Sequence, residues 1–424
     1  MSGESQLSSG SAAHSNTKFR LFLMMVLEFF IWGAWLPLVF PYMVNIQFTA
    51  SEQALVGSTF AIASIVGIFF SNQFADRNFS AERFMAVSHL IGGLALLGLY
   101  FTRSFPIFFA LMLVHALVYV PTISVSNSLA FANLRDTQKE FGLVRMGGTI
   151  GWVLASWPLY FILKGATGEA LIKAQSAIFL VAGIAALVLA AYSLTLPHTP
   201  PKPATSGEDR LAWLKAVRLL AVPYILVLFV VTFLDSTIHN GYFALAGTFL
   251  GNIGIKPEDI MPVMSLGQIA EILTMGALGL VLKRLGWKTT MILGILGHAA
   301  RFGVFAFMNN SIPIIIAVQV LHGICYAFYF ATVYIFIDAV FPKDVRTSAQ
   351  GLFNLLILGL GDLAAKWLFL PLQAQYTSNG VVNYTSLFLW PTCMALAGAV
   401  ILALFFNPPA AKEPEPSGDL ALAH

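Results

Sequence analysis

An apolar segment that is long enough to cross a bilayer contains a polar stripe. Residues 263–282 are almost free of charge, yet Ser265, Gln268 and Glu271 follow one another at intervals of three and share one face of a helix. An ionisable group in hydrocarbon costs about 2.5–3.5 kcal/mol on insertion scales. We therefore expect Gln268 to bind a polar ligand in a protected cavity, where Glu271 could also carry a proton. The alternative is a polar contact between helices, which in membranes is worth only about 0.6 kcal/mol.

A second stripe consists of Arg145, Thr149 and Trp152, whose spacing of i, i+4 and i+7 again puts them on one helix face. The glycines between them would let a neighbouring helix or a ligand approach the backbone. A guanidinium, a hydroxyl and an indole together suit a ligand with hydroxyl groups and a flat ring. Alternatively, Arg145 belongs to a belt of basic residues at the membrane surface and Trp152 packs against lipid.

Two further apolar runs carry polar groups beside aromatic rings. His322, Tyr326 and Tyr329 have the same spacing of i, i+4 and i+7 and could form a wall on which a flat ring stacks. The string "DSTIHNG" at 235–241 indicates a cavity, a broken helix or an ordinary helix end. The cluster around it comprises Asp235, Thr237, His239, Asn240, Tyr242 and Phe243.

Other titratable side chains in apolar runs allow both a functional and a structural interpretation. Glu28 could carry protons or pair with a neighbouring helix. Asp362 and Lys366, four residues apart, are expected to neutralise each other. Partners for four more residues are not evident from the sequence, and we assign these a structural role: His89, His115, His298 and Arg301.

Composition makes lipid the solvent of this chain. Of its 424 residues, 58% are hydrophobic and 10% are charged, whereas soluble domains contain about 25% charged residues. Cys325 and Cys393 both lie in apolar runs, so a disulfide framework is not expected. The patterns "GxSxG" and "HExxH", a phosphate-binding loop and a metal-ligand cluster are absent from the sequence. We predict neither an enzyme nor an ATP-driven pump, with no cofactor, no metal and no nucleic-acid partner.

Apolar runs of about 20 residues, the length that crosses a bilayer, occur twelve times. The predicted spans are 20–44, 53–74, 83–102, 105–132, 143–164, 173–196, 214–236 (with a possible continuation to 250), 259–282, 288–308, 311–340, 346–371 and 384–407. A loop at "DSTIHNG" would divide the seventh span and raise the count to thirteen.

The distribution of positive charge favours an even count. Of the 23 Lys and Arg, we assign 17 to the side that holds both termini and four to the opposite side. This bias places both termini in the cytoplasm. The prediction is an all-α integral membrane protein with twelve transmembrane helices in two six-helix halves. Its parts are a disordered tail at 1–17, a half at 18–196, a cytoplasmic linker at 197–212, a half at 213–407 and a disordered tail at 408–424.

Several strings resemble, in order, those of the bacterial nucleoside:proton symporter family, the nucleoside permease branch of the major facilitator superfamily. They are "FFIWGAW" (29–35), "FADRNFSAER" (74–83), "SNSLAFANL" (126–134), "RMGGTIGW" (145–152), "GQIAEI" (267–272), "HGICYAFYF" (322–330) and "RTSAQGLF" (346–353). The resemblance extends from the first span to the last, and it is closest to the family's putative nucleoside transporters.

This resemblance implies the major facilitator fold and proton-driven nucleoside uptake by alternating access. It also implies a ligand site, in which the positions that match the family's binding residues are Arg145, Thr149, Trp152, Asn240, Phe243, Gln268, Glu271, His322, Tyr326 and Tyr329. The expected partners are a nucleoside, protons and the lipid bilayer. A monomer in the inner (plasma) membrane is expected.

Two departures from the family pattern concern coupling and binding. An aspartate that family members commonly carry directly after the residue matching Tyr326 is replaced by Ala327. Asn240 and Phe243 stand where a pair of amides is more usual. Our hypothesis is that Glu28 compensates for the aspartate that is missing at Ala327, and that Glu28 and Glu271 both take part in proton coupling. Alternatives are a major facilitator transporter for another small polar solute, such as a sugar or drug, and a nucleoside sensor that does not transport.

Overall fold

The computed structural model describes the backbone of residues 2–67, 79–201, 217–341 and 346–408, and the side chains of these residues except 2–15, 137–139 and 346–348. The described residues before the predicted linker contain seven α-helices. They are α1 (Ser2–Asn45), α2 (Ala50–Val66), α3 (Ala81–Tyr100), α4 (Phe105–Asn133), α5 (Thr137–Leu154), α6 (Ser156–Leu163) and α7 (Gly168–Ser193).

The described residues after the predicted linker contain eight α-helices. They are α8 (Pro223–Asn252), α9 (Ile260–Phe307), α10 (Ile312–Val318), α11 (Leu321–Cys325), α12 (Thr332–Val340), α13 (Arg346–Asn354), α14 (Gly361–Gln375) and α15 (Tyr384–Phe405). Two π-helical segments, Tyr326–Ala331 and Leu355–Leu360, join α11 to α12 and α13 to α14. A short antiparallel ladder between β1 (Thr377–Ser378) and β2 (Val381–Val382) is the one addition to the predicted all-α fold in the described ranges.

Sequence features at the helix starts explain several of these boundaries. Thr49 caps α2 in a capping box: its hydroxyl accepts from the Glu52 backbone N–H at 3.2 Å, and the Glu52 carboxylate accepts from the Thr49 N–H at 2.8 Å. Pro106 and Pro223 lie in the first turns of α4 and α8, where a missing backbone N–H costs no hydrogen bond. Local chemistry and apolar composition therefore agree on where these helices begin.

The described helices overlap the predicted spans, and two of those spans fall within one helix. In the described part of the chain, ten helices or helical runs are long and apolar enough to cross a membrane, and α2 is a shorter apolar helix in the second predicted span. The long helix α9 contains predicted spans eight and nine. Gly286 divides it, because its φ of 69° and ψ of 178° are not helical and favour glycine.

The segment "DSTIHNG" lies in the middle of α8, which continues without interruption from Pro223 to Asn252. It is therefore neither a loop, nor a break, nor a helix end. The side chains of Asp235, Thr237 and His239 are buried, so this polar cluster points into the protein.

The helices before the linker pack mainly on one another, as do those after it. In the first group, α1 packs against α5 and α7, and α3 against α4 and α7. In the second group, α9 packs against α11 and α15, and α8 against α14 and α15. The two groups meet chiefly where α2 contacts α14 and where α1 contacts α8. Ser58 of α2 accepts a hydrogen bond from the Trp367 indole of α14 at 3.1 Å.

Parts of the predicted domain plan fall outside the described residues: 74–78 of the turn "FADRNFSAER", 202–212 of the linker and 409–424 of the C-terminal tail. At the other end, α1 begins at Ser2, so the backbone is helical where the sequence suggested a disordered tail at 1–17. The division into tails, halves and linker stays a prediction.

Close contact between α1 and α5 depends on Gly151, where a Cβ atom would collide with the Val26 carbonyl group. We expect Gly151→Ala to separate the two helices and to lower the unfolding free energy by about 1–3 kcal/mol. The measurement is the melting temperature of the purified protein in detergent.

Gly142→Ala is the matched control on the same helix, because a Cβ atom at Gly142 meets nothing within 4 Å. Alanine in a helix interior is favoured over glycine by about 0.5–1 kcal/mol, so this variant should melt at the same or a higher temperature. Equal melting temperatures for both variants would contradict the proposed packing of α1 on α5.

Candidate functional site

A cavity of about 420 Å³ lies between the two groups of helices. Its walls come from α1, α2, α4 and α5 on one side, and from α8, α9, α11 to α14 and the two π-helical segments on the other. Nine of the ten predicted binding residues line it: Arg145, Thr149, Trp152, Asn240, Phe243, Gln268, Glu271, His322 and Tyr326. Side chains more than a hundred positions apart in the sequence thus face a common space.

The α5 wall of the cavity is cationic and aromatic. The Arg145 guanidinium lies over the Phe29 ring at 4.1 Å from its centroid, an arrangement in which the ring face attracts the cation. The Trp152 indole contacts Trp32 and Phe243 edge to face, with centroid distances of 5.5 and 5.9 Å. Arg145 and Trp152 therefore face the cavity and do not form a surface belt.

Two glycines bring the polar stripe of α9 against α11. A Cβ atom at Gly267 would lie 2.8 Å from the His322 Cβ, and one at Gly323 would collide with the backbone of Ala270 and Glu271. This close approach places the Gln268 amide nitrogen 3.1 Å from the His322 Nε2. Among the described residues, the Glu271 carboxylate has no hydrogen-bond partner, and it is half-buried at the cavity wall.

A charged network lies behind this wall, and sequence analysis missed it. Arg301 is fully buried, with Nη1 at 2.8 Å from His322 Nδ1 and Nη2 at 3.3 Å from His298 Nδ1. The Asp235 carboxylate lies 3.7 Å from His298 Nε2, and the Tyr242 ring lies 4.1 Å from the guanidinium carbon. The sequence assigned Arg301 and His298 a structural role for lack of visible partners, and the structure gives Arg301 a cavity residue, His322, as one of its partners.

The α8 wall contributes an amide whose orientation is fixed. Asn240 Nδ2 donates to the carbonyl oxygens of Ser236 at 2.9 Å and Ile357 at 3.0 Å. Since backbone carbonyls only accept hydrogen bonds, the Asn240 Oδ1 is left as an acceptor on the cavity side. Phe243, one turn further along α8, packs edge to face on His322 at 5.6 Å.

Tyr329 does not line the cavity, which corrects the prediction that it shares a face with Tyr326. The reason is the π-helical segment Tyr326–Ala331, whose i→i+5 bonding has more residues per turn than an α-helix. The residue that follows Tyr326 around the cavity is therefore Phe330. Tyr329 is fully buried behind the wall, where its hydroxyl lies 3.0 Å from that of Thr232.

Glu28 also lies away from the cavity. Its side chain is fully buried between α1, α3 and α4, where it accepts a hydrogen bond from the Thr122 hydroxyl at 2.7 Å and lies 2.8 Å from the His89 Nε2. The Tyr119 hydroxyl donates to the Glu28 backbone carbonyl at 2.6 Å. Glu28 thus pairs with neighbouring helices, and His89, like Arg301, has a partner that the sequence did not reveal.

Asp362 and Lys366 form the predicted ion pair, and both line the cavity. The Lys366 side chain passes close to Gly57 of α2, where a Cβ atom would lie 2.8 Å from the Lys366 Cγ. Ala327, in contrast, is fully buried and outside the cavity wall. In the described ranges, no group of three or more His, Cys, Asp or Glu side chains could hold a metal ion.

Comparisons with known sequences match this chain to transporters of nucleosides. A family model described as Nucleoside H+ symporter matches residues 15–411. A putative nucleoside transporter of Escherichia coli K12, YegT, is 32% identical over 402 residues, with 92% of this chain and 94% of that protein covered. The xanthosine permease of the same organism is 28% identical, with 96% and 99% covered.

Solved structures agree on the fold. The crystal structure of the nucleoside transporter NupG has a TM-score of 0.81 at 23% identity, covering 93% of this chain and all of that one. A D-xylose–proton symporter has a TM-score of 0.71 at 15% identity, with 93% and 99% covered. At these identities, the structures show a shared fold and nothing about the ligand.

The different surroundings of the two tyrosines can be tested by thiol labelling. In a background with Cys325→Ser and Cys393→Ser, we expect Tyr326→Cys to react with a small water-soluble methanethiosulfonate at least about tenfold faster than Tyr329→Cys, because thiol reactivity requires access. The measurement is the rate of mass increase of the protein in detergent. Equal rates would show that the two positions share the cavity face.

Proposed function

We propose that the central cavity binds a nucleoside and releases it on the other side of the membrane together with a proton. This chain belongs to the nucleoside H+ symporter family, and the proposal starts from that membership. The family model matches nearly the whole chain, and the resemblance found in the sequence is thereby confirmed. The chain is a multi-pass membrane transporter of nucleosides and not an enzyme.

The composition of the cavity wall is the observation that carries this proposal. A nucleoside has a flat base and a hydroxylated sugar. Trp152 and Tyr326 offer aromatic surface for the base, while the polar groups of Gln268, Glu271 and Arg145 could satisfy hydrogen bonds that hydrocarbon cannot. Ligand pockets have volumes of about 300–1,000 Å³, and the cavity is in this range.

The position of the cavity between two groups of helices suits alternating access, in which the halves rock around a central site. In this proposal, the chain crosses the plasma (inner) membrane of the cell twelve times as a monomer, with both termini in the cytoplasm. The kink at Gly286 would separate spans eight and nine, and α2 would be the second span. The bias of Lys and Arg in the sequence supports this orientation.

Proton coupling is assigned to Glu271, because its carboxylate faces the cavity beside Gln268 and could exchange a proton where the substrate binds. Arg145 faces the same cavity from the opposite group of helices. Glu28 as a second proton carrier stays a prediction. Its partners are His89 and Thr122, outside the substrate cavity.

The names of the relatives support nucleosides as the substrate class. They include a putative nucleoside transporter and a xanthosine permease, so bases of more than one kind are candidates. The sugar and peptide transporters with similar structures share only the fold. No feature of the cavity favours a sugar, a drug or a sensor function over nucleoside transport.

Substitution of Glu271 tests the coupling. In a host that lacks its own nucleoside permeases, radiolabelled uridine and adenosine should accumulate with the native protein, and a protonophore should abolish this accumulation. We expect Glu271→Gln to lower accumulation about tenfold or more, because the proton-carrying group is lost.

Glu169→Gln is the matched control, since the Glu169 side chain is 82% exposed at a helix start far from the cavity. It should transport like the native protein. Native uptake that is indifferent to the protonophore would mean facilitated diffusion, and full accumulation by Glu271→Gln would move coupling to another acid.

Substitution of Trp152 tests the aromatic surface. Stacking of a base on an aromatic side chain is worth about 1–3 kcal/mol by alanine substitution. We therefore expect Trp152→Ala to weaken uridine binding by about 5- to 150-fold in equilibrium dialysis of the purified protein. Trp157→Ala is the control, because Trp157 is 53% exposed on the outer surface. Equal affinities of the two variants would remove Trp152 from the binding site.

A further inference from the structure

The buried guanidinium of Arg301 determines which nitrogen of His322 carries a proton. A guanidinium has only N–H donors and no acceptor, and Arg301 Nη1 lies 2.8 Å from His322 Nδ1. Nδ1 must therefore accept this hydrogen bond and cannot itself be protonated. A neutral imidazole then carries its proton on Nε2. An imidazolium is excluded at this position, because its Nδ1–H would face the Arg301 donor.

The tautomer of His322 in turn fixes the orientation of Gln268. The amide nitrogen of Gln268 and His322 Nε2 lie 3.1 Å apart, and with Nε2 protonated both would be donors. The oxygen and nitrogen of an amide occupy equivalent positions, so the hydrogen-bond network decides which is which. The Gln268 Oε1 therefore accepts from His322 Nε2–H, and the Gln268 NH2 group is directed away from His322.

We propose that Arg301, through His322, sets the hydrogen-bond polarity of the cavity, so that the Gln268 amide donates to an acceptor atom of the ligand. This inference rests on the proposed function and narrows it. The ligand group opposite Gln268 is an acceptor, of the kind that nucleobases provide as carbonyl oxygens or unprotonated ring nitrogens. Arg301 is a positioning residue, because it acts on the ligand only through His322 and Gln268.

The second amide of the cavity has the opposite polarity. Asn240 uses its NH2 group on the carbonyls of Ser236 and Ile357 and leaves its oxygen as an acceptor. The cavity therefore presents one amide donor from α9 and one amide acceptor from α8. A ligand that carries an acceptor and a donor at separate positions would satisfy both, as a base with its sugar does.

The surroundings of Arg301 hold its donors in place. Its Nη2 points to His298 Nδ1 at 3.3 Å, which by the same argument puts the His298 proton on Nε2, toward the Asp235 carboxylate at 3.7 Å. The Tyr242 ring covers one face of the guanidinium, with its centroid 4.1 Å from the guanidinium carbon.

The tautomer can be measured without any substrate. Nitrogen NMR of protein labelled with ¹⁵N-histidine distinguishes protonated from unprotonated ring nitrogens, and His322→Gln identifies the His322 signals. The native protein should show a protonated Nε2 and an unprotonated Nδ1. Arg301→Lys, which keeps a donor, should preserve this state, whereas Arg301→Met should produce a mixture of tautomers or the Nδ1–H form. A native Nδ1–H tautomer, or no change in Arg301→Met, would overturn the proposal.

The polarity of Gln268 can be measured by binding of uridine and adenosine to the purified protein. In Gln268→Glu, one carboxylate oxygen can still accept from His322, but the other oxygen, also an acceptor, replaces the NH2 donor that faces the ligand. Gln268→Met has neither an oxygen acceptor for His322 nor an N–H donor for the ligand. We expect Gln268→Glu to bind at least about tenfold more weakly than the native protein and more weakly than Gln268→Met, because a buried acceptor facing an acceptor is unfavourable. Native-like binding by Gln268→Glu would overturn the proposal.

The outcomes separate the two proposals. If the native protein binds neither nucleoside while His322 shows the expected tautomer and its dependence on Arg301, the substrate class is wrong and the Arg301–His322 relation stands. If nucleosides bind but His322 carries its proton on Nδ1, the proposed function stands and the proposed hydrogen-bond polarity of the cavity fails.

Discussion

The burial of polar groups where water is absent is the constraint on which this structure depends. Arg301 is fully buried within α9, and a charge in that position requires partners for its donors. His322 of α11 and His298, one turn earlier on α9 itself, accept hydrogen bonds from its guanidinium, and Asp235 of α8 lies 3.7 Å from His298. These contacts link α8, α9 and α11, and with them one wall of the cavity.

Helix geometry turns this constraint into a binding surface. Glycines at 267 and 323 let α9 and α11 approach closely enough for Gln268 to meet His322, and the π-helical segment after Cys325 selects which aromatic residues face the cavity. On the opposite wall, Phe29 holds the Arg145 guanidinium through its ring face. The cavity thus has rigid polar walls before a ligand binds, and less free energy is needed to order them on binding.

Much of this arrangement could be predicted from the sequence, because it depends on spacing along single helices. The helical period alone is enough to predict the stripes that contain Gln268 and Arg145, and these two residues line the cavity. The prediction that Tyr329 faces the cavity was wrong, because no simple sequence pattern indicates a local change from an α-helical to a π-helical period. The contacts of Arg301 with His322 and of His298 with Asp235 were missed because they join residues on different helices. The Arg301–His298 contact, by contrast, joins residues three apart on α9. A lone arginine inside an apolar span was the available indication, since such a residue requires a buried partner.

A crystal or electron cryomicroscopy structure determined with uridine would show directly whether the cavity between the two groups of helices is a nucleoside site. We expect the base to lie against Trp152, with an acceptor atom of the nucleoside within hydrogen-bonding distance of the Gln268 amide and another polar group near Glu271. Uridine bound at a different place, or a cavity that stays empty at saturating uridine, would contradict this expectation.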